Sequence, residues 1–105
     1  MYVSALGGVH TLNLSGCSSV VDVSALGGVN SLSLSWCVNV TDVSALSGVH
    51  SLDLHCCNIS DVSALGGVHS LDLSGCLNVK DVSALSGVNI LYLNGCNVSD
   101  DGTND

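Results

Sequence analysis

The tetrapeptide Val-Ser-Ala-Leu occurs five times, beginning at Val3, Val23, Val43, Val62 and Val82, so the 105-residue chain repeats every 20, 20, 19 and 20 residues. A unit of that length cannot bury an apolar face alone. It must stack on copies of itself, and the result is a solenoid. Each unit continues through a Gly-Val pair into Leu-x-Leu, as at Leu12-Asn13-Leu14, Leu32-Ser33-Leu34, Leu52-Asp53-Leu54, Leu71-Asp72-Leu73 and Leu91-Tyr92-Leu93. A cysteine follows three positions later, at Cys17, Cys37, Cys57, Cys76 and Cys96.

The two leucines of Leu-x-Leu share one face of a strand and the residue between them points to the other. Five such strands make a parallel sheet whose inner side is lined by Val9, Leu12, Leu14 and their equivalents. Gly8, Gly28, Gly48, Gly67 and Gly87 precede the strands, where a tight backbone turn is expected. Two units are one residue shorter, always between the cysteine and the next Val or Ile, as in Cys57-Asn58-Ile59 against Cys76-Leu77-Asn78-Val79. Length variation confined to one place marks a loop.

The run Val9-x-x-Leu12-x-Leu14-x-x-Cys17-x-x-Val20 resembles the leucine-rich-repeat motif, with Cys in the column that other subfamilies fill with Asn. Asp61-Val62-Ser63-Ala64-Leu65 resembles the convex segment of internalin-type repeats, about two residues shorter. The resemblance covers residues 3–100 and implies an α/β-type solenoid: a right-handed coil with one curved parallel β-sheet and short 3-10 or irregular convex segments. It also implies that the concave face binds other proteins. The expected organisation is a single domain with coils 3–22, 23–42, 43–61, 62–81 and 82–100 and an acidic polar tail, 101–105.

Asp22, Asp42, Asp61 and Asp81 each precede Val-Ser-Ala-Leu and suit the capping of a 3-10 turn through its free N–H groups. Stacking places these carboxylates roughly 5 Å apart, so a cation ladder is the functional alternative. The five periodic cysteines read as a ladder of buried thiols and not as a disulfide scaffold. Cys56 lies outside that column. Free thiols and the absence of a basic, apolar leader at the first residues favour an intracellular setting.

Nine Asp oppose one cation, Lys80, for a net charge of -8, which argues against nucleic acid and anionic membrane as partners. Serines occupy repeat columns and none is set apart with a base, so no catalytic residue is assigned and an enzyme is not expected. His10, His50 and His69 alternate with Asn30 and Asn89 in one column. This reads as interchangeable polar caps at a turn. Together with Asp53, His55 and Asp72 they make a metal site conceivable, but neither metal nor cofactor is assigned.

Because the units are near copies, departures from the repeat carry the information. On the outward strand face these are Trp36, Asp53, His55, Asp72, Ile90 and Tyr92, candidates for anchoring a protein. The first coil shows no covering segment, while residues 101–105 replace a further Val-Ser-Ala-Leu. The favoured expectation is a non-enzymatic interaction or scaffold module that self-associates end to end through Val9, Leu12 and Leu14 against Val88, Leu91 and Leu93. Its partners would be other copies of itself or another protein. The alternatives are a monomer that recognises a protein on its concave face, or a fragment of a longer array.

Overall fold

The computed structural model describes residues 10–96. Five three-residue strands, β1 (Thr11–Asn13), β2 (Ser31–Ser33), β3 (Ser51–Asp53), β4 (Ser70–Asp72) and β5 (Ile90–Tyr92), pair in chain order as one parallel sheet. The register aligns repeat with repeat: Leu12, Leu32, Leu52, Leu71 and Leu91 are successive partners. Ser51 meets Ser70 across a 19-residue unit as Ser31 meets Ser51 across a 20-residue one, so the deletion near Asn58 is absorbed before the next strand. The return side of the coils carries 3-10 turns at Ser24–Leu26, Ser44–Gly48, Ser63–Leu65 and Ser83–Leu85.

Alternation along the strands gives the two faces. Leu32, Leu52 and Leu71 are buried between half-exposed neighbours, and they pack with the Val and Leu residues of the return segments into one continuous core. No polar or charged residue among those described is buried. The core therefore holds with almost no aromatic area, through regular stacking of aliphatic side chains at close-packed density.

The cysteine column explains how adjacent coils lock. The Cys37, Cys57, Cys76 and Cys96 thiols donate to the Leu14, Leu34, Leu54 and Leu73 carbonyls of the preceding coil, at 3.0, 2.9, 2.9 and 2.8 Å. Each of those carbonyls also accepts the backbone N–H of the cysteine in its own coil. A thiol thus occupies the second lone pair of a carbonyl enclosed in the core. Burial is complete for Cys37, Cys57 and Cys76, but Cys17 and Cys96 are only half-buried, which corrects the expectation of five enclosed thiols. These two belong to the outermost described coils.

The aspartate column works one residue earlier than an ordinary cap. Val23, Val43, Val62 and Val82 hold the N-cap position and make no side-chain cap. Instead the Asp22, Asp42, Asp61 and Asp81 carboxylates accept the N–H of Ser24, Ser44, Ser63 and Ser83, the first residue of each turn, at 2.9 to 3.0 Å. Ser44 and Ser63 add their hydroxyls, each at 2.7 Å. These bonds hold all four carboxyls below the ordinary 3.8, the Ser63 hydroxyl leading at Asp61 and the serine N–H at the others.

The closest backbone approaches are not at the expected glycines. Glycines 28, 48, 67 and 87 lack a left-handed backbone; that conformation belongs to the column after the strand, Gly16, Trp36, Cys56, Gly75 and Gly95. Close approach is required at Gly27 and Gly66, where an added Cβ would lie 2.5 and 2.6 Å from the Ala45 and Ala84 carbonyl oxygens of the next coil.

Candidate functional site on the concave face

The outward residues of the five strands form one uninterrupted surface with two columns. Thr11, Ser31, Ser51, Ser70 and Ile90 make the first; Asn13, Ser33, Asp53, Asp72 and Tyr92 make the second. Serines keep the middle low, so a shallow hollow of about 370 Å³ runs across the sheet, bounded by Asn13 at one end and Tyr92 at the other. The register sets Asp53 beside Asp72 and Asp72 beside Tyr92. Ile90 and Tyr92 are exposed, at 43% and 51%.

Both aspartates also have a local task. Asp53 Oδ1 accepts the His55 N–H at 3.0 Å and Asp72 Oδ1 accepts the Ser74 N–H at 2.9 Å, fixing the turn where each strand ends. Asn13 does the same for Ser15 at 2.9 Å. Beyond those turns lies Trp36, 57% exposed, whose ring meets that of His55 edge-on at 5.9 Å. Trp36 and Cys56 adopt φ of 64° and 59°, a conformation unusual for a bulky side chain. Inter-coil bonds hold them there: the Trp36 N–H donates to His55 O and the Cys56 N–H to Ser74 O, both at 2.9 Å.

Of the six sequence candidates, Asp53, Asp72 and Tyr92 line the hollow, while Trp36 and His55 pair with each other beyond the strand ends and do not line it. Ile90 lies in the first column beside Ser70. The sequence reading missed the left-handed column, although three glycines at 16, 75 and 95 were its signal. His50 and His69 stack at 4.6 Å with their rings 8° apart. Among the described residues no group of three or more His, Cys, Asp or Glu is placed to hold a metal ion.

Of the proposed end contacts, Val9 lies outside the described residues. Leu14 and Leu93 are covered, at 7% and 8% exposure, while Leu12, Val88 and Leu91 are half-buried.

No protein-family model and no curated protein matches the sequence. Among solved structures, the chain is similar to an internalin, inlF, from Listeria monocytogenes, with a TM-score of 0.59 over 96% of this chain and 24% identity. It spans 39% of that protein's length. The fold is a leucine-rich-repeat solenoid. Internalin C2 of the same organism superposes less well, with a TM-score of 0.49, 22% identity, and coverage of 87% of this chain and 54% of the other. Within the leucine-rich-repeat frame, the cysteine ladder and Asp-Val-Ser-Ala-Leu turn are the constant parts. The outward strand residues vary, and so does the loop between each cysteine and the next aspartate, where Val21, Val38 and Leu77 are exposed.

Proposed function

We propose that this leucine-rich-repeat chain is a non-catalytic protein-binding module whose concave face receives the partner. One observation carries the reading: Asp53, Asp72 and Tyr92, which break the repeat at the outward strand positions, line a single open hollow. The convex turns repeat almost unchanged. Aromatic anchors among small polar residues are the usual composition of a recognition surface. Six free thiols are consistent with work in a reducing, intracellular compartment.

Binders selected on the intact chain from a random displayed-peptide library test this. Ser51→Arg, in the hollow, should abolish most of them, and Ala45→Arg, exposed on the convex turn, should leave them intact. The opposite pattern would move the binding face to the convex side.

End-to-end self-association is a second reading, favoured by the half-buried state of Leu12 and Leu91 where Leu32, Leu52 and Leu71 are fully covered. Another copy could continue the same backbone pairing, head to tail and without closure. Leu91→Lys should then lower the particle mass measured by light scattering at high concentration. A parent chain that is monomeric throughout the concentration range would contradict this reading.

A further inference from the structure

The concave face carries two charges that its own fold does not demand. Asp53 and Asp72 each fix a turn through Oδ1, but Asn13 fixes the equivalent turn at the same 2.9 Å as Asp72, so a neutral amide suffices. The register nevertheless places the two carboxylates side by side on strands roughly 4.8 Å apart, where like charges oppose each other. Tyr92 stands one step farther along and is itself 51% exposed. The chain's single Lys or Arg, Lys80, directly precedes the convex turn aspartate Asp81 and is not in the hollow. Among the described residues no Lys or Arg lines the hollow to neutralise the pair.

We propose that the concave face takes an extended cationic segment of a partner protein, with an Arg or Lys over the Asp53–Asp72 pair and its stem or guanidinium against Tyr92. This rests on the reading of the face as a protein-binding one. A guanidinium satisfies both carboxylates at once through its planar fork and also stacks on an aromatic ring. The low serine floor of β2, β3 and β4 leaves room for a backbone to cross the strands, and the net charge of -8 steers a cationic partner inward. The same field repels nucleic acid and anionic lipid.

The test is fluorescence polarisation of a short labelled peptide alternating Arg and Ser, in about 50 mM salt where exposed charges are weakly screened. The parent chain should bind it saturably and ignore the same peptide with citrulline in place of Arg. Asp53→Asn with Asp72→Asn should weaken binding at least roughly tenfold. Asp22→Asn with Asp42→Asn, which removes the same charge from the convex side, should change it less than about threefold. No saturable binding by the parent, or equal loss in the two double variants, would overturn the proposal. Library-selected binders that Ser51→Arg abolishes but the Asp53 and Asp72 substitutions do not touch would reject the cationic segment while leaving the concave face as the binding surface.

Discussion

Trp36 and Cys56 stand where Gly16, Gly75 and Gly95 hold φ near 80°, and that conformation costs a residue with a Cβ about 1 to 2 kcal/mol. Trp36→Gly is therefore predicted to stabilise the chain by about 1 kcal/mol, part of the gain being offset by the greater freedom of glycine when unfolded. The same change removes the exposed indole beyond the end of β2, so binding should weaken as stability rises if the partner reaches past the hollow. Denaturant unfolding followed by circular dichroism reads the first effect, and a less stable variant would contradict the strain argument. Gly27→Ala has the opposite sign. The φ of -63° at Gly27 suits alanine, but the new Cβ would meet Ala45 O at 2.5 Å, and overpacking of this kind costs about 1 to 3 kcal/mol. A Gly27→Ala chain as stable as the parent would mean that the coils can separate slightly at that point.

At the scale of the element, the two side-chain ladders make pH a probe of the fold. Burial pushes the Cys57 thiol up to about 12 and Cys76 to about 11, against an ordinary 9.0. A raised value means that the folded chain keeps the proton while the unfolded chain loses it, so their contribution is whole below pH 9.0 and falls as pH climbs toward 11 and 12. Unfolding midpoints should therefore drop steeply above that point. Thiol titration in the native state should label half-buried Cys56 well before Cys37, Cys57 and Cys76, and early modification of those three would contradict the enclosed ladder. The aspartate turns behave in reverse. Their carboxyls are held below 3.8, so the stability they confer is present above that pH and lost as pH falls through their lowered values. Replacing all four by Asn should flatten this acid limb, whereas Ala should lower the melting temperature at neutral pH as well. An unchanged acid limb in the Asn variant would show that these carboxyls do not govern it.

Most of these elements are legible as spacing. The strand positions follow from Leu-x-Leu, and the aspartate turns from Asp-Val-Ser-Ala-Leu, because both depend on local pattern. The thiol bond to a carbonyl 22 or 23 residues away is not legible, since it depends on the stacking distance and on the cysteine rotamer. The left-handed column is obscured for a different reason. In the sequence Trp36 reads as a departure on a surface and Cys56 as a thiol outside the cysteine column, whereas the three glycines at the same place mark a backbone requirement that those two residues meet under strain. Asp53 and Asp72 are visible as candidates, but only the bond made by Asn13 shows that their charge is surplus to the turn.

At the scale of the molecule, in-register stacking is what converts isolated substitutions into a surface. Each strand contributes one residue to each outward column, so Asp53, Asp72 and Tyr92, separated by about a coil apiece in sequence, become neighbours in space. The central claim is that this face, and not the convex ladder of aspartates, receives a partner. Amide chemical-shift mapping of the labelled protein during titration with the alternating Arg and Ser peptide tests it most directly. The shifts should concentrate at 51–55, 70–74 and 90–92 and at the Trp36 indole. Shifts concentrated at Asp22, Asp42, Asp61 and Asp81 and the serines they cap, with the sheet unmoved, would contradict it.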